Sequence, residues 1–356
     1  MEVQKSRQWI LQNKPQGLPI LDRGHNGTFA LVTATLPQLG ENQVLVKPVY
    51  LSNDPAQQVW MSMSTADCHP ERAYAPPIEV GDPIAAFAIA EVVESQCARL
   101  SPGILVYGRV SWSDLAIIDE KDCFFTLESP TEKGLSITQR MGSLGLSGLT
   151  AYYGLYDIVN ATANDSIVIS GAAGAVGIMA VQIAKRIIGC KYVIGIAGTD
   201  EKCRFVEKLG ADVCLNYRSS SFEADLQEAT KDCVDVYFDN VGGRILDMML
   251  KRLKAQGRVA ACGAIANYSN DDSQLGLANY VDVVTMRLKI LGFNVADYIH
   301  KSAEVSEILL QAWKEGKIVL GAETETVFES RLEEVPHTWL EIFKGGNKGK
   351  MITKVI

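Results

Sequence analysis

The stretch Ser166-Ile-Val-Ile-Ser-Gly-Ala-Ala-Gly-Ala-Val-Gly177 limits the folds open to this chain more than any other part of it. A buried-strand run, Ser166 to Ser170, enters a turn containing Gly171, Gly174 and Gly177, and Val176 to Ile188 then carries helical periodicity. A strand that passes through glycines into a helix predicts half of a β-α-β unit, with backbone N–H groups at the helix N-terminus open to a pyrophosphate. Gly174 to Gly177, with Ala175 and Val176 between them, are the positions where backbone would approach those phosphates. Ala172 stands where the strict G-x-G-x-x-G pattern has its first glycine. Small residues also pack helix against strand, so the pattern draws its force from the strand before it, the helix after it and the next strand, Tyr192 to Ala197.

The rest of the chain supports that frame. A length of 356 residues suggests two domains. The first third is rich in β signals: Gln43 to Tyr50, Ala85 to Val93 and Leu105 to Val110 are short, apolar and punctuated by Pro and Gly turns. After about residue 128 strands alternate with helical patterns, which implies parallel β-α-β units, and from about residue 324 the alternation stops. The uncharged run Ile167 to Ala184 has the length of a membrane span, but its glycines assign it to the turn instead. With Lys+Arg 34 against Asp+Glu 42, the net charge of −8 argues against nucleic acid or an anionic membrane as partner. The N-terminal MEVQKSRQWI has no apolar signal core, and the eight cysteines include no C-x-x-C pair. A cytoplasmic protein with unreactive thiols is the expectation.

The cofactor is read at the end of the second strand, where NAD-binding sites place Asp or Glu on the ribose 2′-hydroxyl. Here Ala197 and Gly198 occupy that place, and Lys202 follows one helical turn later. Lys202 is either a partner for a 2′-phosphate, which would select NADPH, or a solvated lysine at a helix start.

At this point the residues resemble a known family. Leu144-Gly-Leu-Ser-Gly-Leu-Thr-Ala-Tyr-Tyr-Gly-Leu155, Gly171 to Gly177, Ala197-Gly-Thr-Asp-Glu-Lys202, Asn216-Tyr217, Asp235-Val-Tyr-Phe-Asp-Asn-Val-Gly-Gly243 and Cys262-Gly-Ala-Ile-Ala-Asn-Tyr268 are similar to the zinc-free medium-chain reductases. The set specifically resembles the prostaglandin reductase, leukotriene B4 12-hydroxydehydrogenase and alkenal double-bond reductase branch, with a further match at Gly346-Asn-Lys-Gly-Lys350. The resemblance implies an α/β fold. A Rossmann-type doubly wound parallel sheet would span residues 129–323, and a GroES-like, mostly-β substrate domain would be built from 1–128 and 324–356. It also implies NADPH contacts at Gly174, Ala175, Val176, Gly177, Lys202, Tyr217, Asn240, Cys262, Gly263, Ala264, Ile265, Tyr268, Phe293, Asn294, Val295 and Asn347. Read alone, Tyr217 would be a half-buried strand-end tyrosine, and Asp239 and Asn240 ordinary turn residues. Homodimers are usual in this family, so a homodimer is expected. The chain departs from the family pattern at Leu51-Ser-Asn-Asp-Pro-Ala-Gln-Gln58, where Asp-Pro-Tyr-Met-Arg would be usual.

Chemistry follows from what is absent and what is present. None of His25, His69, His300 and His337 lies in a Gly-His-Glu stretch, and Cys68-His69 is the only adjacent Cys/His pair, so no metal site is expected. Without a metal, the accessible reaction is hydride transfer to the β-carbon of an α,β-unsaturated ketone or aldehyde. An enolate oxygen would then need a hydrogen-bond donor, and Tyr268 is the candidate. Tyr50 is a possible substrate-lining residue, with core packing the favoured reading. A quinone reductase, a carbonyl or alcohol dehydrogenase, and a weakly catalytic NADPH-binding protein are the alternative readings on the same scaffold.

Overall fold

The computed structural model describes residues 4–22, 24–63, 75–127, 134–268 and 276–356, and these divide into two compact units. The first unit comprises Met1–Met141 with Thr326–Ile356, and the second Gly142–Glu325.

In the first unit β1 (Lys5–Leu11) pairs antiparallel with β2 (Phe29–Thr35). A larger sheet holds β3 (Gln43–Ser52), β4 (Ala85–Ser95), β5 (Leu105–Ser111), β6 (Ala116–Asp119) and β7 (Cys123–Leu127), and the short helix α1 (Ala56–Ser62) follows β3. Its order also includes two strands from the chain end, β14 (Glu325–Ser330) and β15 (Lys350–Val355), and β15 lies antiparallel to β3. The core is aliphatic and aromatic, with Trp9, Phe29, Trp60, Trp112 and Trp339 buried in one cluster.

The second unit is a six-stranded parallel sheet in the order β10-β9-β8-β11-β12-β13. The strands are β8 (Ser166–Ile169), β9 (Tyr192–Ala197), β10 (Val213–Asn216), β11 (Val234–Asp239), β12 (Leu253–Ala261) and β13 (Lys289–Gly292). Between and around them run α2 (Leu146–Tyr153), α3 (Ala175–Gln182), α4 (Asp200–Leu209), α5 (Phe222–Ala229), α6 (Gly243–Leu250), α7 (Val281–Thr285) and α8 (Ser302–Lys314). Ile167, Val168, Ile169, Val193, Ile194 and Ile196 are all fully buried, as a parallel sheet covered on both faces requires. The first three strands build one half of the sheet and the last three the other, so the order reverses between β8 and β11. Ligands of doubly wound sheets bind at this switch point, outside the strand C-termini.

The span-length run Ile167 to Ala184 is broken into β8, a turn and α3, and no helix among the described residues is long and apolar enough to cross a membrane. The Cys68-His69 pair lies outside the described residues. Among the described residues, no group of three or more His, Cys, Asp or Glu could hold a metal ion.

Candidate cofactor and active site

The turn after β8 is shaped by what cannot fit in it. Gly171 has φ +58°, a conformation that L side chains rarely adopt. A Cβ at Gly177 would lie 2.2 Å from the Gly171 carbonyl oxygen and 2.7 Å from Ala172 Cα, so only hydrogen fits there. The Gly174 amide donates to the Gly171 carbonyl at 2.9 Å, and α3 starts at once with Ala175 and Val176. The first amides of a helix lack carbonyl partners within it, which leaves the first turn of α3 able to receive an anion. Ala172 departs from the glycine pattern without cost because β9 supplies the missing space. A Cβ at Gly195 would lie 3.2 Å from Ala172 Cβ, and the Ala172 amide donates to Ile196 at 2.9 Å. The signal for this compensation is the lone glycine in Ile194-Gly195-Ile196.

At the end of β9 the nearest acid is already engaged: Asp200 accepts from the Asn216 side-chain amide at 2.7 Å. Thr199 caps α4, its hydroxyl accepting from the Lys202 amide at 3.2 Å, which fixes Lys202 in the first turn. The Tyr217 ring lies against Gly198, whose absent Cβ would stand 3.1 Å from Tyr217 Cε1, and the ring is 43 % exposed. Tyr217 is thus exposed at the end of β10 rather than half-buried. Arg218, which the sequence reading passed over, holds its guanidinium 5.6 Å from the centre of that ring. Its only sequence signal is a basic residue next to Asn216-Tyr217.

Across the switch point, Asn240 donates its side-chain amide to the Ser170 carbonyl at 2.7 Å and its backbone amide to the Ser170 hydroxyl at 3.0 Å. The Cys262 and Gly263 amides donate to the Asp239 carbonyl at 2.9 and 3.0 Å, and a Cβ at Gly263 would meet the Asn240 carbonyl at 3.1 Å. The Ala266 amide donates to Val241 at 3.0 Å, so the turns after β11 and β12 form one packed group holding Asn240, Cys262, Gly263, Ala264 and Ile265. Burial pushes the Cys262 thiol up to about 12, aided by Asp239, so it stays protonated. Tyr268 follows in the same turn, its hydroxyl accepting from the Ala264 amide at 3.5 Å and keeping its own proton to give. Burial raises its pKa above the ordinary 10.0; the Ala264 contact pulls it back and Cys262 adds to the rise.

Phe293 packs edge-on to Phe238 at 6.4 Å, Asn294 caps the following turn by accepting from the Ala296 amide at 3.0 Å, and Val295 begins that turn. Tyr50 and Asn347 belong to the first unit. Tyr50 is half-buried in β3 opposite Ile89 and Lys354, and Asn347 donates to the Gly349 carbonyl at 2.8 Å.

A doubly wound parallel sheet with a glycine turn at its switch point defines a dinucleotide-binding fold. Comparison with known proteins narrows the class. Residues 175–313 match the model described as a zinc-binding dehydrogenase, and residues 7–125 the N-terminal domain of oxidoreductase. The chain is 33% identical over 360 residues to an NADPH-dependent curcumin reductase of Escherichia coli, covering 99% of this chain and 98% of that one. It is 34% identical over 361 residues to an NADP(+)-dependent 2-alkenal reductase of Nicotiana tabacum, with coverage of 99% and 98%. The crystal structure of CurA from Vibrio vulnificus in complex with NADPH superposes with a TM-score of 0.84 at 31% identity, covering 98% of this chain and 99% of that one. The chain belongs to the medium-chain dehydrogenase/reductase family, in the branch of the prostaglandin and alkenal reductases.

Proposed function

We propose that this NADPH-dependent oxidoreductase reduces the carbon–carbon double bond of an α,β-unsaturated ketone or aldehyde. The observation that carries the reading is Tyr268: a protonated hydroxyl, half-buried, in the turn that packs with the C-terminal end of β11. The relatives' printed activities, curcumin reduction and 2-alkenal reduction, support the same chemistry.

The residues present fit NADPH. The turn of Gly171, Gly174 and Gly177 is tight enough to close directly onto the start of α3, where Gly174, Ala175, Val176 and Gly177 would hold the pyrophosphate. Ala197 and Gly198 stand where an acid would hold a ribose 2′-hydroxyl, and Lys202 and Tyr217 would hold a 2′-phosphate there. Asn240, Cys262, Gly263, Ala264, Ile265, Phe293, Asn294 and Val295 would line the nicotinamide half. When bound, NADPH supplies a hydride for the β-carbon of the substrate. Tyr268 donates a hydrogen bond to the carbonyl oxygen as negative charge gathers there. Its raised pKa keeps that proton in place across the neutral range, and Tyr268 or solvent then delivers a proton to the α-carbon.

We further infer a homodimer. The strand β13 ends its sheet with Ile290 exposed, and Tyr280, Val281 and Val284 in and beside α7 are exposed apolar side chains that a second copy would cover.

The test of the activity is NADPH consumption with an enone, a quinone and a saturated ketone side by side. Turnover of the enone should dominate. Preference for the quinone or the ketone would overturn the proposal.

A further inference from the structure

One buried carboxylate ties together three strand ends of the cofactor crevice. Asp239, 2% exposed, closes β11. A single oxygen, Oδ1, accepts from the Tyr237 hydroxyl at 2.7 Å, the Gly242 amide at 2.9 Å, the Val241 amide at 3.0 Å and the Ser170 hydroxyl at 3.1 Å. Tyr237 can reach it because residues two apart on a strand point to the same face. Val241 and Gly242 turn their amides inward as an anion-binding nest, and the occupant of that nest is the chain's own side chain. The backbone carbonyl of Asp239 meanwhile accepts from Cys262 and Gly263. The side chain thus links the end of β8 to the turn after β11, and the main chain links β11 to the turn after β12. Burial works against the charge and the four donors favour it, so the network depends on every donor being present.

The groups fixed in this way are Asn240 and the Cys262–Gly263 turn, which the NADPH reading assigns to the nicotinamide half. The adenosine half rests on different residues, Lys202 and Tyr217 at the ends of β9 and β10. We infer that Asp239 is the positioning residue of the nicotinamide half: its carboxylate sets the loops that bind the cofactor while staying buried beneath them. The inference rests on the NADPH reading above.

The experiment measures calorimetric affinity for two ligands, NADPH and adenosine 2′,5′-bisphosphate, which carries only the adenosine half. Asp239→Asn keeps the shape but removes the charge, and charge-assisted hydrogen bonds are roughly twice as strong as neutral ones. The NADPH Kd should rise about tenfold, the scale of one strong hydrogen bond. Affinity for adenosine 2′,5′-bisphosphate should stay within about twofold, the scatter of a site left undisturbed. Ser170→Ala and Tyr237→Phe should shift NADPH alone in the same direction by less, and they decide the matter if Asp239→Asn does not fold. In steady state the NADPH KM should rise by more than kcat falls. An unchanged NADPH Kd in the variants that fold would overturn the inference, as would equal weakening of both ligands, which marks a general structural defect. Failure of both ligands to bind the unmodified protein would instead overturn the cofactor reading, and the inference with it.

Discussion

The two units fix their functional groups by different means. In Gly142–Glu325 the candidate site is framed by backbone: amides at a helix start, carbonyls at strand ends and glycines packed where a Cβ would clash. The first unit is held instead by side chains packed in its interior. Tyr107 stacks on Phe125 at 5.2 Å, Trp60 meets Phe87 edge-on at 5.5 Å, and Arg109 lies 5.7 Å from the Trp60 ring. The divergent segment Asp54 to Gln58 is anchored there by side chains as well. Lys350, 4% exposed, pairs with Asp54 at 2.5 Å. Gln57 donates to the Ala85 carbonyl at 2.9 Å and Gln58 to that of Gly17 at 2.6 Å. A backbone site tolerates few substitutions, because what it requires is the absence of atoms. A side-chain anchor can be made from other residues, because it needs only donors and acceptors in reach, as Gln57 and Gln58 supply here.

The largest effect should come from the side-chain unit. Lys350→Met strands the Asp54 carboxylate, and breaking a buried pair costs ~3–5 kcal/mol; about 3 is expected because Asp54 keeps some solvent contact. Chemical denaturation measures the loss. Adenosine 2′,5′-bisphosphate should still bind within about twofold, since its contacts lie in the other unit; a collapse of that affinity would show that the two units do not act separately.

Next in size is Tyr268→Phe, which should slow single-turnover reduction of an enone on the order of ten- to a hundredfold, or ~1.4–2.7 kcal/mol. The ring stays, so the melting temperature and NADPH affinity should hardly move. In the unmodified enzyme the alkaline fall in rate should begin above pH 10.0, because burial favours the neutral phenol and the donor is lost only when it ionises. An unchanged rate in the Phe variant would return Tyr268 to a packing role.

A smaller effect is expected at Lys202. NADPH should bind at least about tenfold tighter than NADH, the scale of a charge-assisted contact, and Lys202→Ala should erode that margin. Equal affinity for the two cofactors in the unmodified protein would refute the 2′-phosphate assignment. No effect at all is expected from chelators, and elemental analysis should find no stoichiometric zinc. One zinc per chain, lost together with activity, would contradict the metal-free mechanism.

The cofactor half was legible because its rules are local. Gly171, Gly174 and Gly177 sit within seven residues of one another, and the structure gives a steric reason for Gly171 and for Gly177. The bounds of β9 and the entry to α4 likewise follow from an apolar run and a capping threonine. Asp239 was not legible. Its partners lie up to 69 positions away in sequence, and Asp-Asn-Val-Gly-Gly reads as an ordinary turn until the sheet brings Ser170 beside it. The Ala172–Gly195 exchange was hidden for the same reason, since it joins two strands that meet only through pairing.

Periodicity, turn chemistry and the spacing of glycines were enough to specify an α/β chain with a phosphate-binding turn, because each acts over a few bonds and needs no distant partner. The order of the strands, the burial of Asp239 under four donors and the orientation of Tyr217 over Gly198 were settled only by folding. Those features depend on which strand ends become neighbours, and a hydrogen bond exists only where packing has already brought donor and acceptor within about 3 Å of each other.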